Sequence, residues 1–125
     1  MKVRLHGDSL RLRLTQPEVA RLAAGGAVET ETAFRPGAAL TVRAVPSDRP
    51  TLAVTFEGGV VTVAVPRAEV ERWAASDAEA VAETQDAGAG RTLAVSVEKD
   101  YACLHREGTE PGVFPHPAQR DARRS

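Results

Sequence analysis

Residues 98–105 read EKDYACLH and gather two acids, a lysine, a tyrosine, the sole cysteine and a histidine. Cys103 could act as a nucleophile only as a thiolate, and a thiolate needs a nearby base or cation. His105 follows two residues on, which in an extended strand puts the two side chains on one face roughly 6–7 Å apart. That is beyond hydrogen-bond reach without a bend, and the role of a small buried hydrophobe suits Cys103 better. A metal centre could draw on Cys103, His105, His116 and an acid, but C-x-H with one distant histidine lacks the paired spacing of structural zinc sites. No catalytic residue, metal ligand set or cofactor is therefore assigned. Alternation through Leu93, Val95 and Val97 carries Lys99, Tyr101 and Cys103 to the core face, and Glu98 and Asp100 to the other. A lysine on a core face needs a partner, and Glu31, Glu57 and Glu83 are the candidate acids. Tyr101 is expected to cover the end of the core. Cys103 is expected to be mostly buried, with neither histidine at ligand distance.

A second cluster lies near the start. Lys2, Arg4 and His6 alternate with Val3 and Leu5, and Arg11 and Arg13 alternate with Leu10, Leu12 and Leu14. If the two runs pair as strands, Arg4, Arg11 and Arg13 share one sheet face. Guanidinium groups so placed could hold a phosphate or carboxylate, or an acidic protein partner. The competing expectation is cross-strand pairing with Glu29 and Glu31 of the ETET run, which would add little energy. Nucleic acid is not an expected partner: five aromatic residues in all leave no basic–aromatic interleaving for base stacking. GAG at 88–90 has no phosphate-loop or dinucleotide pattern around it.

The elements that position these residues come from an internal repeat. Shifted by 51, residues 3–24 (VRLHGDSLRLRLTQPEVARLAA) lie over residues 54–75 (VTFEGGVVTVAVPRAEVERWAA) without a gap. Val3 meets Val54, Leu5 meets Phe56 and Gly7 meets Gly58. Leu10, Leu12 and Leu14 meet Val61, Val63 and Val65, and Leu22 meets Trp73. With two further residues inserted, 28–44 matches 81–97. Each copy opens with period-two alternation broken by a glycine turn, a hairpin signal. The period then becomes helical. Thr15 and Glu18 form a capping-box pattern with Pro17 in the first turn, and Gly25-Gly26 closes the helix. Val19, Leu22 and Ala23 make its apolar stripe; Val70, Trp73 and Ala74 make that of copy two, where Pro66 replaces the Thr15 cap. Two more strands follow in each copy, 28–34 with 40–45 and 80–85 with 92–99.

The expected fold is α+β: eight mainly antiparallel strands and two short helices, in two ββαββ repeats (2–45 and 53–99) related by a pseudo-twofold. A barrel and two curved sheets are both compatible with the pattern. A single β-rich domain over 1–105 is expected, then an irregular tail over 106–125, loose after 117, in which Val113 and Phe114 could dock on the body. The chain has 125 residues, 42% apolar and 26% charged, with a net charge of −1, as in a globular protein. Lysine stands only at Lys2 and Lys99, and the Arg, Ala, Val and Gly usage suggests a GC-rich bacterial genome. The charged alternation of the first residues is unlike a signal peptide, no run reaches the length of a membrane span, and one cysteine cannot form an internal disulfide. A cytoplasmic protein without a membrane partner is expected, its oligomeric state open.

GDSLRLRLTQPEV near the start, EKDYACL near the end and FPHP in the tail resemble a family of small bacterial proteins, a domain of unknown function. The resemblance covers most of the chain and implies no reaction, cofactor or substrate. The leading expectation is a non-catalytic binding or interaction module for an anionic ligand or an acidic partner. Its candidate binding residues are Arg4, Arg11, Arg13, Glu98, Lys99, Asp100, Tyr101 and Cys103. The alternative is a small enzyme or metal-binding protein with its site within 98–105.

Overall fold

The computed structural model describes residues 1–101. Its elements are β1 (Lys2–His6), β2 (Ser9–Leu14), α1 (Gln16–Ala23), β3 (Val28–Arg35), β4 (Ala38–Ser47), β5 (Ala53–Glu57), β6 (Val60–Pro66), α2 (Arg67–Ala74), β7 (Ala80–Gly88) and β8 (Arg91–Lys99). Alternation makes the strands and glycine makes the turns. Gly58 and Gly59 turn the β5–β6 hairpin with φ of 56° and 76°, the positive values that a tight two-residue turn requires. Thr15 starts α1, its amide donating to Glu18 Oε1 at 2.9 Å. The helix ends in a Schellman motif, in which Gly26 N–H reaches Arg21 O at 2.9 Å and Gly25 N–H reaches Leu22 O at 3.1 Å.

The strands form two four-stranded sheets, in the orders β1-β2-β8-β7 and β3-β4-β6-β5, and no closed barrel. The four hairpins are antiparallel, but β2 pairs with β8 and β4 with β6 in parallel. The two ββαββ segments thus do not each close a sheet of their own. Each sheet instead takes one hairpin from each half, joined at a parallel seam. The physical reason is the helix between hairpins. Eight residues of helix rise about 12 Å, on the order of the ~10 Å between stacked sheets. The chain therefore leaves one sheet, climbs the helix and enters the other.

Because the seams are parallel, each sheet has both turns at one end and both helix connections at the other. Leu10, Leu12 and Leu14 from one sheet, Val42, Ala44, Val63 and Val65 from the other, and Leu22 and Trp73 from the helices share one buried core. Trp73 is fully buried, its indole N–H donating to Glu79 O at 3.1 Å. On one side the sheets are also tied by a side chain: Gln85 accepts from Val54 N–H at 2.7 Å and donates to Val54 O at 2.9 Å. Glu83 beside it accepts from Leu52 N–H at 2.8 Å.

Candidate functional site

The two sequence clusters meet on the outer face of the β1-β2-β8-β7 sheet. Strand alternation turns Leu10, Leu12, Leu14, Val95 and Val97 inward, so Arg11, Arg13, Ser96 and Glu98 point outward. The register sets their neighbours: Arg4 stands opposite Arg11, Lys2 opposite Arg13, Arg11 beside Ser96 and Arg13 beside Glu98. Like charges directly opposite across a strand pair are unfavourable, so the face needs an anion.

Glu98 supplies part of it. Arg11 grips its carboxylate with two bonds, Nε to Oε2 at 2.9 Å and Nη2 to Oε1 at 3.1 Å. Arg13 Nε donates to Oε1 at 3.4 Å, and Ser96 Oγ donates to Oε2 at 2.8 Å. The Arg11 bonds, helped by Ser96 and Arg13, hold the Glu98 carboxyl below its ordinary range against the opposing effect of burial. Lys2 Nζ lies 3.2 Å from Asp100 at the end of the same face. Four cations thus stand against two carboxylates, and among the described residues Arg4 has no ion-pair partner. Lys2, Val3, Arg4, Arg11 and Arg13 line a shallow hollow of about 240 Å³. Beside it, toward β7, Ala82, Ala94 and Ser96 border a second hollow of about 320 Å³. A larger open hollow of about 640 Å³ lies at the turn end of the other sheet, but only Glu31 and Arg35 bring charge to it.

Of the candidate residues, Arg4, Arg11, Arg13, Glu98 and Asp100 come together here. Lys99 does not. Its alternation sends it inward, where Nζ donates to Ser76 O at 2.6 Å and sits 6.0 Å from the centre of the Trp73 ring. This corrects the expected acid partner. Glu31 and Glu57 lie on the outer face of the opposite sheet, and Glu83 is engaged by Leu52, so the ammonium takes a carbonyl and a ring face instead. Tyr101 is 51% exposed, so among the described residues it covers little of the core end. Arg11 and Arg13 do not pair with Glu29 or Glu31 either. Those belong to β3 in the other sheet, where Glu29 pairs with Arg43 at 3.0 Å. Cys103, His105 and His116 lie outside the described residues. Ser96 is the member that sequence reasoning missed, although it shares the alternation phase of Glu98. Among the described residues no cluster of His, Cys, Asp and Glu could hold a metal, and no helix is long and apolar enough to cross a membrane.

Two mixed four-stranded sheets and two helices, with a cation-rich outer face on one sheet, define the class: a small α+β domain. Within it, a family model for a family of unknown function, DUF7009, matches residues 1–118, and the chain belongs to that family. No curated protein and no solved structure matches the chain.

Proposed function

We propose that the chain is a non-catalytic cytoplasmic binding module of bacterial origin whose β1–β2 face takes an anionic group. The carrying observation is that Arg4 stands opposite Arg11 and Lys2 opposite Arg13 across the hairpin, with Glu98 shared between two arginines. A phosphate or carboxylate entering the hollow would relieve the like-charge neighbours through charge-assisted hydrogen bonds. Glu98 is occupied by Arg11, Arg13 and Ser96, which suits a fixed counter-ion better than a proton carrier. The test is a thermal-stability screen with phosphate, pyrophosphate and citrate. Binding only to the folded chain stabilises it by about 2.7 kcal/mol at a hundredfold excess over Kd. The expected result is a rise in melting temperature that Arg4→Ala diminishes. No rise with any of the three anions would refute the reading.

The same reading treats 1–105 as one domain of two repeats, 2–45 and 53–99, followed by the 106–125 tail. Its support is that the register carries over under the sequence offsets. Leu10 pairs with Val95 as Val61 pairs with Val42, and Leu12 with Val97 as Val63 with Ala44. At the turns, Ala94 N–H donates to Asp8 O as Thr41 N–H donates to Gly59 O, both at 2.9 Å. Superposing 3–44 on 54–97 in a crystal structure should match helix on helix. A different strand path in the two halves would refute duplication.

A further inference from the structure

The two outer sheet faces carry opposite charge. The β1-β2-β8-β7 face holds Lys2, Arg4, Arg11 and Arg13 on and beside the β1–β2 hairpin, against Glu98 and Asp100 there and Asp86 on the far edge strand β7. On the other sheet, Val28, Val42, Ala44, Val63 and Val65 point into the core, so Glu29, Glu31, Thr41, Arg43, Val60 and Glu57 point out. There three glutamates stand against Arg43, which pairs with Glu29, and against Arg35 at the turn end beside Glu31. The register puts Glu31, Thr41, Val60 and Glu57 in one row across the four strands, with an acid at each edge. Among the described residues no helix covers either face, because both helices contribute Leu22 and Trp73 to the core between the sheets.

We infer that the basic outer face of one copy of this chain docks on the acidic outer face of a second copy, head to tail. The inference deepens the proposed reading, on which it rests, by naming the acidic partner. Three observations carry it. The faces are complementary in sign, which steers association and fixes orientation. Both are sheet surfaces with a strand spacing of about 4.8 Å, so rows of side chains on one can lie against rows on the other. The net charge of the whole chain is only −1, so no overall repulsion opposes contact. The two faces are different surfaces of one chain, so the contact is heterologous. Each added copy leaves one basic and one acidic face free, and assembly is open-ended unless the rotation closes a ring.

Sedimentation velocity of the full chain over a wide concentration range tests this, at about 0.1 M and about 1 M salt, where the Debye length falls from about 10 Å to about 3 Å. The wild-type chain should grow beyond a dimer at the lower salt and dissociate at the higher. A basic-face variant, Lys2→Glu with Arg4→Glu, and an acidic-face variant, Glu31→Lys with Glu57→Lys, should each lose at least about tenfold in self-affinity, the equivalent of ~1.4 kcal/mol. A mixture of the two variants should regain growth beyond a dimer at the lower salt. The kept acidic face of one variant meets the kept basic face of the other, and the two reversed faces, now negative and positive, complement each other in the same way. All four substituted positions are exposed on strands, and thermal melts verify that both variants stay folded. A wild-type chain that is monomeric at both salts overturns the inference, whether the face is then held by a small anion or by residues after 101. So does a wild-type assembly that stops at a dimer, or one that survives in both variants. Because the anion screen is read on melting temperature, a monomer that still binds pyrophosphate sinks only the docking, while absence of both results sinks the binding face as well.

Discussion

Glu98 shows how one carboxylate organises a surface. Its bonds to Arg11, Ser96 and Arg13 lower its pKa in the folded chain below the ordinary 4.5. Stability from such a group is fully present above the unfolded-state pKa and is lost as pH falls through the folded value. Glu98→Gln should therefore reduce stability at neutral pH and flatten its decline on the acid side of that ordinary value. Urea unfolding of both chains across an acid pH series measures this. A decline of equal slope in the variant would mean that Glu98 gains nothing from its arginines. Glu18 adds to the same acid window. Burial alone would raise its pKa, but bonds from the N-terminal ammonium and Thr15 bring it down. The variant should thus keep part of the slope.

At the scale of the hairpin, two glycines in matching turns differ in what surrounds them. Gly7 has φ of 54° and nothing within 4 Å of the place a Cβ would take. Gly59 has φ of 76°, and a Cβ there would come 3.0 Å from Ala39 O. That carbonyl belongs to the neighbouring strand, and Gly59 O itself accepts from Thr41 N–H at the start of the parallel seam. Left-handed backbone costs a side chain about 1–2 kcal/mol at either position. Gly7→Ala should lose about that amount, and Gly59→Ala measurably more, because backbone must shift to admit the methyl. Denaturant midpoints of the two variants decide it, and equal losses would show that the seam yields freely. Gly26 in the α1 cap is the helix counterpart, since a Cβ there would meet Arg21 Cγ at 2.9 Å.

The whole molecule is cooperative by construction. Every sheet contains a hairpin from each half, so neither half can complete a sheet alone. Unfolding should be one transition with coincident probes, and a chain of residues 1–50 should remain unfolded by circular dichroism. A folded half would contradict the exchange of hairpins. The tie between the sheets is uneven. Gln85 bridges to both backbone groups of Val54, whereas its counterpart in the first half is Thr32, a shorter side chain facing Val3 in the sequence match. Gln85→Ala leaves two backbone groups to water and should cost about 1–3 kcal/mol, while Thr32→Ala should cost much less. Thermal unfolding of the pair measures the difference.

The sequence alone determined every strand, both helices, their caps and turns, and the inward or outward phase of Arg11, Arg13, Glu98, Asp100 and Lys99. These follow from local periodicity and from glycine, which act over a few residues. It did not reach the exchange of hairpins between halves, because parallel pairing of β2 with β8 joins positions some eighty residues apart and leaves no local mark. For the same reason the partners of the charged residues were out of reach. Arg11 meets Glu98 across the seam rather than Glu29, and Lys99 meets Ser76 and Trp73 rather than an acid. Leu5 and Phe56 carry the inward phase of their strands yet are 63% and 68% exposed, since they stand at the turn end of their hairpins, while the helices join the strands at the other end and bring Leu22 and Trp73 to the core there. Alternation fixes which face a side chain takes, and only the stacking of the sheets decides whether anything lies against it.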